Sequence, residues 1–469
     1  MKLYDTLSKT DKELAPKNPE DKFKLYSCGP TVYNFAHIGN LRSFLFADSI
    51  RKSLEYVGNS VDWVMNITDV DDKTIKGTIA EFGPEATVDN LRTFTTKYLD
   101  IFLQELQSLQ IDTTSIRFIR VADVIPQIQE YILKLVEKGY AYQTEDGTYF
   151  NIEKYQQDFG DYGQLVGKGF LEGKKVGARV KVDEYEKDNL SDFALWKKHT
   201  SEDANIYWEH LTLGKGRPGW HIECSVINDI AFKHQSTDLH TGGVDLVFPH
   251  HTNEIAQSQP FYKPFSHAWA HSEHLQIDGK KMAKRDGNVY ALKDLTGKHP
   301  LNGLAFRYLC LQTDFHKPMN FTWESLEAAN TALERLYRQF DSLELGKKLH
   351  TAENAYETYI NKFKSAVEED LNLPKALAIV WELLADAQVE DSSKRAILLE
   401  IDPVLGLNLE HHSPAVELKV TAEVQSLLDA RKQARATKDF SKSDELRAQI
   451  EAQGFEVLDT PEGQQIKAK

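Results

Sequence analysis

Two apolar runs flank one amphipathic stretch between Phe23 and Ile67, and that order limits the fold more than any other feature of the chain. Phe23–Cys28 (FKLYSC) is a short apolar-rich run closed by Gly29-Pro30, the pattern of a buried strand and its turn. After the turn His37–Asn40, the apolar residues Leu41, Phe44, Leu45, Ala47, Ile50 and Leu54 recur at helical spacing. Gly58 follows the predicted helix Leu41–Val57 as a stop. Val61–Ile67 reads as a second strand. Strand, helix and strand in succession predict a βαβ unit, hence a parallel sheet with right-handed crossovers. Long helices are predicted at Thr87–Leu109 and Asp123–Lys138.

The pattern changes from about residue 140 to 200. Ala141–Phe150, turning at Glu145-Asp146-Gly147, predicts a hairpin, and Gly160–Lys181, rich in Gly and Lys, predicts a mobile loop. Because βα-type segments resume at Trp220–Phe232 and His250–Gln259, this region reads as an insertion within the sheet domain. Beyond about Trp323 strands fade, and Asn330–Leu345, Ala352–Asp370 and Pro374–Ala387 predict a helical bundle. A linker, Glu410–Pro414, precedes a tail with a helix to about Thr437, a second helix Ser441–Gln453 and a short run Phe455–Leu458. The 469 residues leave room for about three domains at ~150 residues each.

Composition narrows the class of function. No apolar run approaches the ~18 residues of a membrane span, and the polar start MKLYDTLSKTDKELAPKNPEDK carries no signal-peptide core, so a cytoplasmic location is expected. Three cysteines cannot make a disulfide framework, which fits a reducing compartment. A net charge of −15 argues, taken alone, against a protein whose work is to hold nucleic acid.

Four residues have the chemistry of a metal site. His250 and Glu254 are four apart in FPHHTNEIAQS and would project from one face of a helix, while Cys224 sits in GWHIECS and Cys28 ends the first strand. Two thiolates, an imidazole and a carboxylate suit Zn²⁺. The spacing is not that of a finger or ribbon, and two inert buried cysteines beside a core histidine fit these residues as well. Cys310, inside Phe306–Leu311, reads as core.

Two further strings suggest phosphate. In PTVYNFAHIGNLRS a strand, a Gly-bearing turn and a helix N-terminus make a cradle of backbone N–H groups, to which His37 and Asn40 add side chains. The basic loop DGKKMAKRDGN (Asp278–Asn288) offers lysines to a polyphosphate. Either string could equally be a plain loop or a solvated turn. Between them, Gly242-Gly243 in LHTGGVDLVFPHH permit close backbone approach to a ligand.

Taken together, Cys28-Gly29-Pro30, HIGN, GWHIECS, GGVDLVFPHH and KMAKR, in this order, resemble the cysteinyl-tRNA synthetases, which are class I aminoacyl-tRNA synthetases. The resemblance runs from about Tyr4 to Gly463 and includes NITDVDDKTI, WAHSEHLQIDGKKMAKRDGN, DLNLPKAL and ARATKDFSKSDELRAQIEAQGFEVLD. It implies an α/β fold: a Rossmann-like parallel-sheet catalytic domain at 1–320, with an insertion at about 125–200 and a KMSKS-type loop and stem-contact region at about 278–325. A helical bundle at 321–410 and a small C-terminal α/β tRNA-binding domain at 415–469 would follow.

The same resemblance implies roles for residues. The family's zinc ligands match Cys28, Cys224, His250 and Glu254, for one Zn²⁺ per chain. Its HIGH signature matches His37-Ile38-Gly39-Asn40, with Asn in the last place, and its KMSKS signature matches Lys281-Met282-Ala283-Lys284-Arg285, with both serines replaced. His37, Asn40, Lys281 and Lys284 would be catalytic. His37, Gly39, Asn40, Gly243, Asp245 and Lys284 would hold ATP, accompanied by Mg²⁺ for which no dedicated cage is visible. Gly29, Thr68, Trp220 and His221 would line the substrate pocket, although Trp220 also suits ordinary core. A monomer acting on ATP, L-cysteine and tRNA(Cys) is expected.

In the tail, Arg431, Arg435, Lys438 and Lys442 fall at i, i+4, i+7 and i+11, a basic helical face that would contact tRNA phosphates or simply be solvated. This tail separates the reading from a related ligase that joins cysteine to an amino sugar and lacks it. The altered KMAKR leaves open a non-catalytic zinc- and nucleotide-binding paralogue. The resemblance also reverses the charge argument: a few placed cations on an acidic body limit non-specific RNA binding without excluding a specific partner.

Overall fold

The βαβ unit is present in a computed structural model of the chain, which describes all residues except 17, 19, 168–174, 180–188, 284–286, 300, 344–352, 413–421, 438, 454, 461–462 and 469. Strand β1 (Phe23–Ser27) leads through the HIGN turn into helix α1 (Ile38–Tyr56) and back to β2 (Val61–Ile67). With β3 (Ile116–Arg120), β4 (Thr237–Gly243) and β5 (Ser266–Ser272) they form a five-stranded sheet in the order β5-β4-β1-β2-β3. Every pairing is parallel, with Leu25 between Leu239 and Trp63. All seven residues of β4 are buried, as expected of a strand covered on both faces. The chain leaves β1 toward β2 and β3 and returns on the other side as β4 and β5. The boundary between β1 and β4 is therefore the topological switch point, where ligands bind beyond the strand ends.

The expected insertion lies between β3 and β4. Its antiparallel sheet begins with the predicted hairpin, Ala141–Gln143 paired with Gly147–Phe150, and continues through Ala194–Lys198, Gly214–Pro218 and Trp208–His210. It thus extends past residue 200. The run GKGRP reads as a loop by composition, but a Cβ on Gly216 would lie 2.3 Å from the Lys197 carbonyl oxygen, so this glycine allows two strands to pack closely. Of the Gly160–Lys181 stretch, expected to be a mobile loop, residues 168–174 and 180–181 lie outside the described residues, and Lys175–Arg179 is instead a strand paired with Asn189–Asp192.

After β5, Leu275–Ile277 pairs with Lys280–Lys281 and Met319–Phe321 in a small sheet. The bundle follows as Trp323–Ser342, Glu353–Glu368, Leu373–Ala385 and a helix the periodicity did not single out, Asp391–Leu405. Its apolar faces share one core with α1 and the sheet. Cys310 is buried in that core beside Met319, and burial pushes its thiol up to about 12.

Residues 411–469 form a separate compact unit. Helices Ala422–Ala436 and Phe440–Ala452 and a hairpin of Phe455–Thr460 with Gly463–Ala468 surround Val424, Leu428, Ile450 and Val457. The expected basic face is corrected here. The first helix ends at Ala436 and Asp439 caps a new one, so Arg431 and Lys442 share no helix. Arg431 is buried and donates from Nη1 to Gln464 Oε1 (2.9 Å), whereas Arg435 is exposed and Lys442 pairs with Glu445 (2.8 Å). Lys438 lies outside the described residues.

Candidate active site and metal centre

The carboxyl ends of β1 and β4 open into a cleft of about 300 Å³, lined among others by Cys28, Gly29, His37, Asn40, Trp220, Gly243 and Asp245. A second cleft, of about 160 Å³, shares His37, Asn40, Gly243 and Asp245 and is completed by Gly39, Ser272–Leu275, Lys281 and Met282. Nine residues expected at the site thus meet around one switch point. Lys284 and Arg285 lie outside the described residues.

Local structure explains the HIGN turn. His37 is the N-cap of α1, and its Nδ1 accepts from Asn40 N (3.1 Å). The first turn of α1, with Gly39 and Asn40, lines the cleft, and the positive end of the helix dipole is a favourable place for negative charge. Ile38 N donates to Tyr290 O (2.8 Å), which ties the turn to the exit of the KMAKR loop. A Cβ on Gly39 would lie 2.4 Å from Met282 Cε, so a side chain here would displace the tip of Met282. Asn288 closes the loop, accepting from Ala283 N (2.8 Å) and donating to Lys281 O (3.2 Å).

At the inner end, four buried ligand atoms converge. Cys28 directly follows β1; Cys224 lies on the helix α2 (Trp220–Ala231); His250 and Glu254 stand one turn apart on the helical run that enters α3 (Thr252–Ser258). The Cys28 and Cys224 sulfurs are 3.7 Å apart, His250 Nε2 is 3.3 Å from Cys224 Sγ and 3.2 Å from Glu254 Oε1, and Cys28 Sγ is 3.6 Å from Glu254 Oε1. A tetrahedron around zinc, with bonds near 2.0–2.3 Å, has edges of about 3.8 Å (S···S), about 3.5 Å (S···N) and about 3.3 Å (N···O). The four residues fit that cage in chemistry and in span.

Two histidines outside the expected set also reach it. His240 and His251 form a second group with Cys28 and Glu254, but their nitrogens are 3.5 and 3.9 Å from the carboxylate, against 3.2 Å for His250. The set with His250 is the tighter cage. His251 instead hands its Nδ1 to His271 Nε2 (2.7 Å), and His271 Nδ1 meets Thr6 Oγ1 (2.8 Å), a chain that fixes ring orientations behind the ligands.

Electrostatics match a pocket built for a cation. Burial pushes the Cys28 thiol well up, with Cys224 and Glu254 adding to it. Burial opposes the Cys224 thiolate too, yet the Cys28 thiol and His250 beside its sulfur bring it down to about 5. Burial and the Cys224 charge raise the Glu254 carboxyl well above its usual range. Burial, followed by neighbouring imidazoles, holds His240 and His251 well below theirs. Imidazoles held neutral, two sulfurs and a carboxyl are electron-pair donors whose chemistry suits a metal.

Two expected lining residues stand behind the wall. His221 follows Trp220 on α2, and the turn of ~100° between successive helical residues points it away from the cleft, with its Nδ1 3.0 Å from His250 Nδ1. Trp220 faces the cleft and stacks on His250 (4.3 Å, 25°). Thr68 is buried and donates to Glu223 Oε2 (3.3 Å) while accepting from Asn66 (3.0 Å). Ser43 and Lys73 do line the cleft and were not singled out in the sequence. Lys73 was signalled only as a member of the motif NITDVDDKTI.

Comparisons with known proteins agree with this geometry. The family model described as "tRNA synthetases class I (C) catalytic domain" matches residues 15–331, and "Cysteinyl-tRNA ligase anticodon binding domain" matches residues 419–466. Cysteine--tRNA ligase of Leptospira interrogans is 38% identical over 483 residues, covering 99% of this chain and 98% of the relative. That of Chlamydia caviae is 37% identical, covering 99% and 97%. Among solved structures, a LeuRS-tRNA-LeuAMS ternary complex of Agrobacterium radiobacter K84 superposes with a TM-score of 0.59 at 12% identity, covering 86% of each chain. Mycobacterium tuberculosis methionyl-tRNA synthetase with methionyl-adenylate gives 0.56 at 13%, covering 90% of this chain and 96% of that one. At such identities these two show the shared fold.

Proposed function

The chain belongs to the cysteine--tRNA ligase family of class I aminoacyl-tRNA synthetases, and we propose from that premise how its own residues perform the reaction. L-cysteine attacks the α-phosphorus of ATP through its carboxylate, giving cysteinyl-adenylate and pyrophosphate, and the cysteinyl group then passes to the terminal ribose of tRNA(Cys). Such phosphoryl chemistry is mostly positioning and charge stabilisation. The N-terminus of α1, with His37 and Asn40, receives the phosphate chain, and Asp245 accepts from the ribose hydroxyls beside Gly243. Lys281 and the adjoining Lys284, with Mg²⁺ on the nucleotide, neutralise the departing pyrophosphate.

The observation that carries the reading is the cage of Cys28, Cys224, His250 and Glu254 at the inner end of the same cleft. Zn²⁺ bound there supplies a soft Lewis acid for the substrate thiolate. Shape alone separates cysteine from serine by only ~10²-fold, because the two differ by one atom. Trp220 holds the His250 ring in place by stacking, and His221 fixes its far nitrogen. The match of residues 419–466 to an anticodon-binding domain favours tRNA over an amino sugar as acceptor. We take one chain, working in the cytoplasm, as the functional unit.

The test is amino-acid-dependent ATP–pyrophosphate exchange with cysteine and serine, before and after zinc is stripped, followed by aminoacylation of a tRNA transcript with a cysteine anticodon. Exchange with cysteine that disappears on stripping and returns with zinc supports the reading. Unchanged cysteine activation in fully metal-free enzyme would sink the zinc role, and absence of any exchange would leave a binding paralogue.

A further inference from the structure

Lys73 has no part in the scheme above, yet the structure places it in the wall of the main cleft. It sits in the first turn of the helix Asp72–Phe82, after the N-cap Asp71, whose carboxylate accepts from Lys73 N (2.8 Å). Asp72 is clamped from the other side by Lys197 Nζ (3.2 Å) and Arg217, both of the inserted sheet. The cap and the clamp fix the turn from which Lys73 extends. Its Nζ lies 5.8 Å from the centroid of the Tyr33 ring, which lines the same cleft, and it makes no ion pair among the described residues.

Charge accounting points to its partner. The reading of the site gives the Cys28 and Trp220 lining of the cleft to the thiol end of the substrate and the Gly243 and Asp245 lining to the adenosine end. A cysteine carboxylate and an α-phosphoryl group must meet between those ends, each bringing negative charge. Lys281 lines the neighbouring cleft, on the pyrophosphate side. Among the described residues, Lys73 is the one lysine or arginine that lines the cleft where the two anions combine.

We propose that Lys73 is a further catalytic residue, whose ammonium binds the non-bridging α-phosphoryl oxygens and the attacking carboxylate during adenylate formation. This rests on the reading of the site as a cysteine-activating one. In the step, a carboxylate oxygen bonds to the α-phosphorus while the bond to the bridging oxygen breaks, and its electron pair leaves with pyrophosphate. No proton moves, and Lys73 stays protonated throughout. Its exposed charge is screened in the open cleft but strengthens once substrates exclude water.

The test compares Lys73→Ala, Lys73→Arg and the control Lys76→Ala, one turn along the same helix, with the wild type. ATP–pyrophosphate exchange, single-turnover transfer from preformed adenylate to tRNA, bound zinc and melting temperature are read on each. Lys73→Ala is expected to lower kcat for exchange by about 100-fold, with the KM for ATP within about threefold of wild type. Lys73→Arg should recover part of the loss, with zinc content and melting temperature unchanged, and Lys76→Ala should match wild type. Normal exchange with slowed transfer would overturn the proposal and give Lys73 to tRNA. A loss shared by Lys73→Arg and matched by lost zinc or a lower melting temperature would overturn it as structural. A wild type that exchanges with neither amino acid would instead break the underlying reading.

Discussion

Two polar clusters are buried in the main unit, and they are built on opposite principles. One surrounds Asp48 on α1, whose carboxylate receives Arg51 (3.1 Å), Lys52 (3.0 Å) and Arg307 (2.9 Å). The other is the set Cys28, Cys224, His250 and Glu254. In the first, burial opposes the Asp48 charge but the three cations overcome it and bring its carboxyl down to about 2. The cost falls on Lys52, which burial and the nearby Arg307 pull down to about 8. Arg307 also donates to the Leu109 (2.9 Å) and Leu405 (2.6 Å) carbonyls, joining the end of the helix Val88–Ser108 to the bundle. That cluster contains its own counterions. In the second, the Cys28 thiol and the Glu254 carboxyl are pushed toward neutrality, and so are the surrounding imidazoles. It is a set of electron-pair donors, whose chemistry suits a bound cation.

Breaking the second cluster is the largest effect expected. Cys224→Ala should abolish stoichiometric zinc and lower cysteine activation by about 10³-fold or more, since one corner of the cage is gone. Added zinc should raise the melting temperature of wild type by mass action but not that of the variant. Zinc titration with calorimetry and exchange kinetics on the same samples check both statements. Retention of tight zinc by the variant would move the site to the group containing His240 and His251.

That alternative shows what could be read from the chain and what could not. The β1–α1–β2 unit was legible because helical and strand periods are local, and the HIGN cradle followed from its place between them. His250 and Glu254 were legible as a pair because a helix places residues four apart on one face. Their union with Cys28 and Cys224 was not. The two sulfurs are 196 residues apart, and meet only because β4 returns beside β1. Only family resemblance supplied that contact. His240 was missed because a histidine in a strand whose seven residues are all buried leaves no periodic mark. Thr68 and His221 were placed one layer too far forward, because motif proximity does not say which way a side chain points.

Disrupting the first cluster should cost stability and leave chemistry alone. Asp48→Asn takes the carboxylate from Arg307 and Lys52, while Arg51 keeps Glu55 (2.7 Å), and is expected to destabilise the main unit by about 3 kcal/mol, measured by urea unfolding. Its ratio of cysteine to serine activation should equal that of wild type at a temperature where both are folded. A changed ratio would mean that the two clusters are coupled, and the contrast between them would fail.

A smaller effect follows from acid. The Asp48 carboxyl is lowered from 3.8 to about 2, so its contribution is complete above pH 4 and is lost as pH falls through the folded value. Between pH 4 and pH 2 wild type should lose about 2 kcal/mol from this group, a loss absent in Asp48→Asn. Unfolding curves of the two proteins across that window should therefore converge. Parallel curves would show that the cations do not hold this carboxylate.

The smallest effect separates burial from function in the tail unit, where two arginines one turn apart have different fates. Arg431 is buried and hydrogen-bonded to Gln464, so it belongs to the packing of that unit; Arg435 is exposed, where a phosphate can reach it. Arg435→Ala should weaken tRNA binding only a few-fold at moderate salt and reduce the slope of log K against log salt by about 1, because one phosphate contact releases about one counterion. Arg431→Met should leave that slope unchanged while lowering the unfolding midpoint of the tail. Affinity measured across a salt series, with thermal unfolding of both variants, distinguishes them. If Arg431→Met flattened the slope instead, its guanidinium would have to leave the core when RNA binds. Burial in the free unit would then be the resting position of a contact residue, and it would no longer separate structure from recognition in this part of the chain.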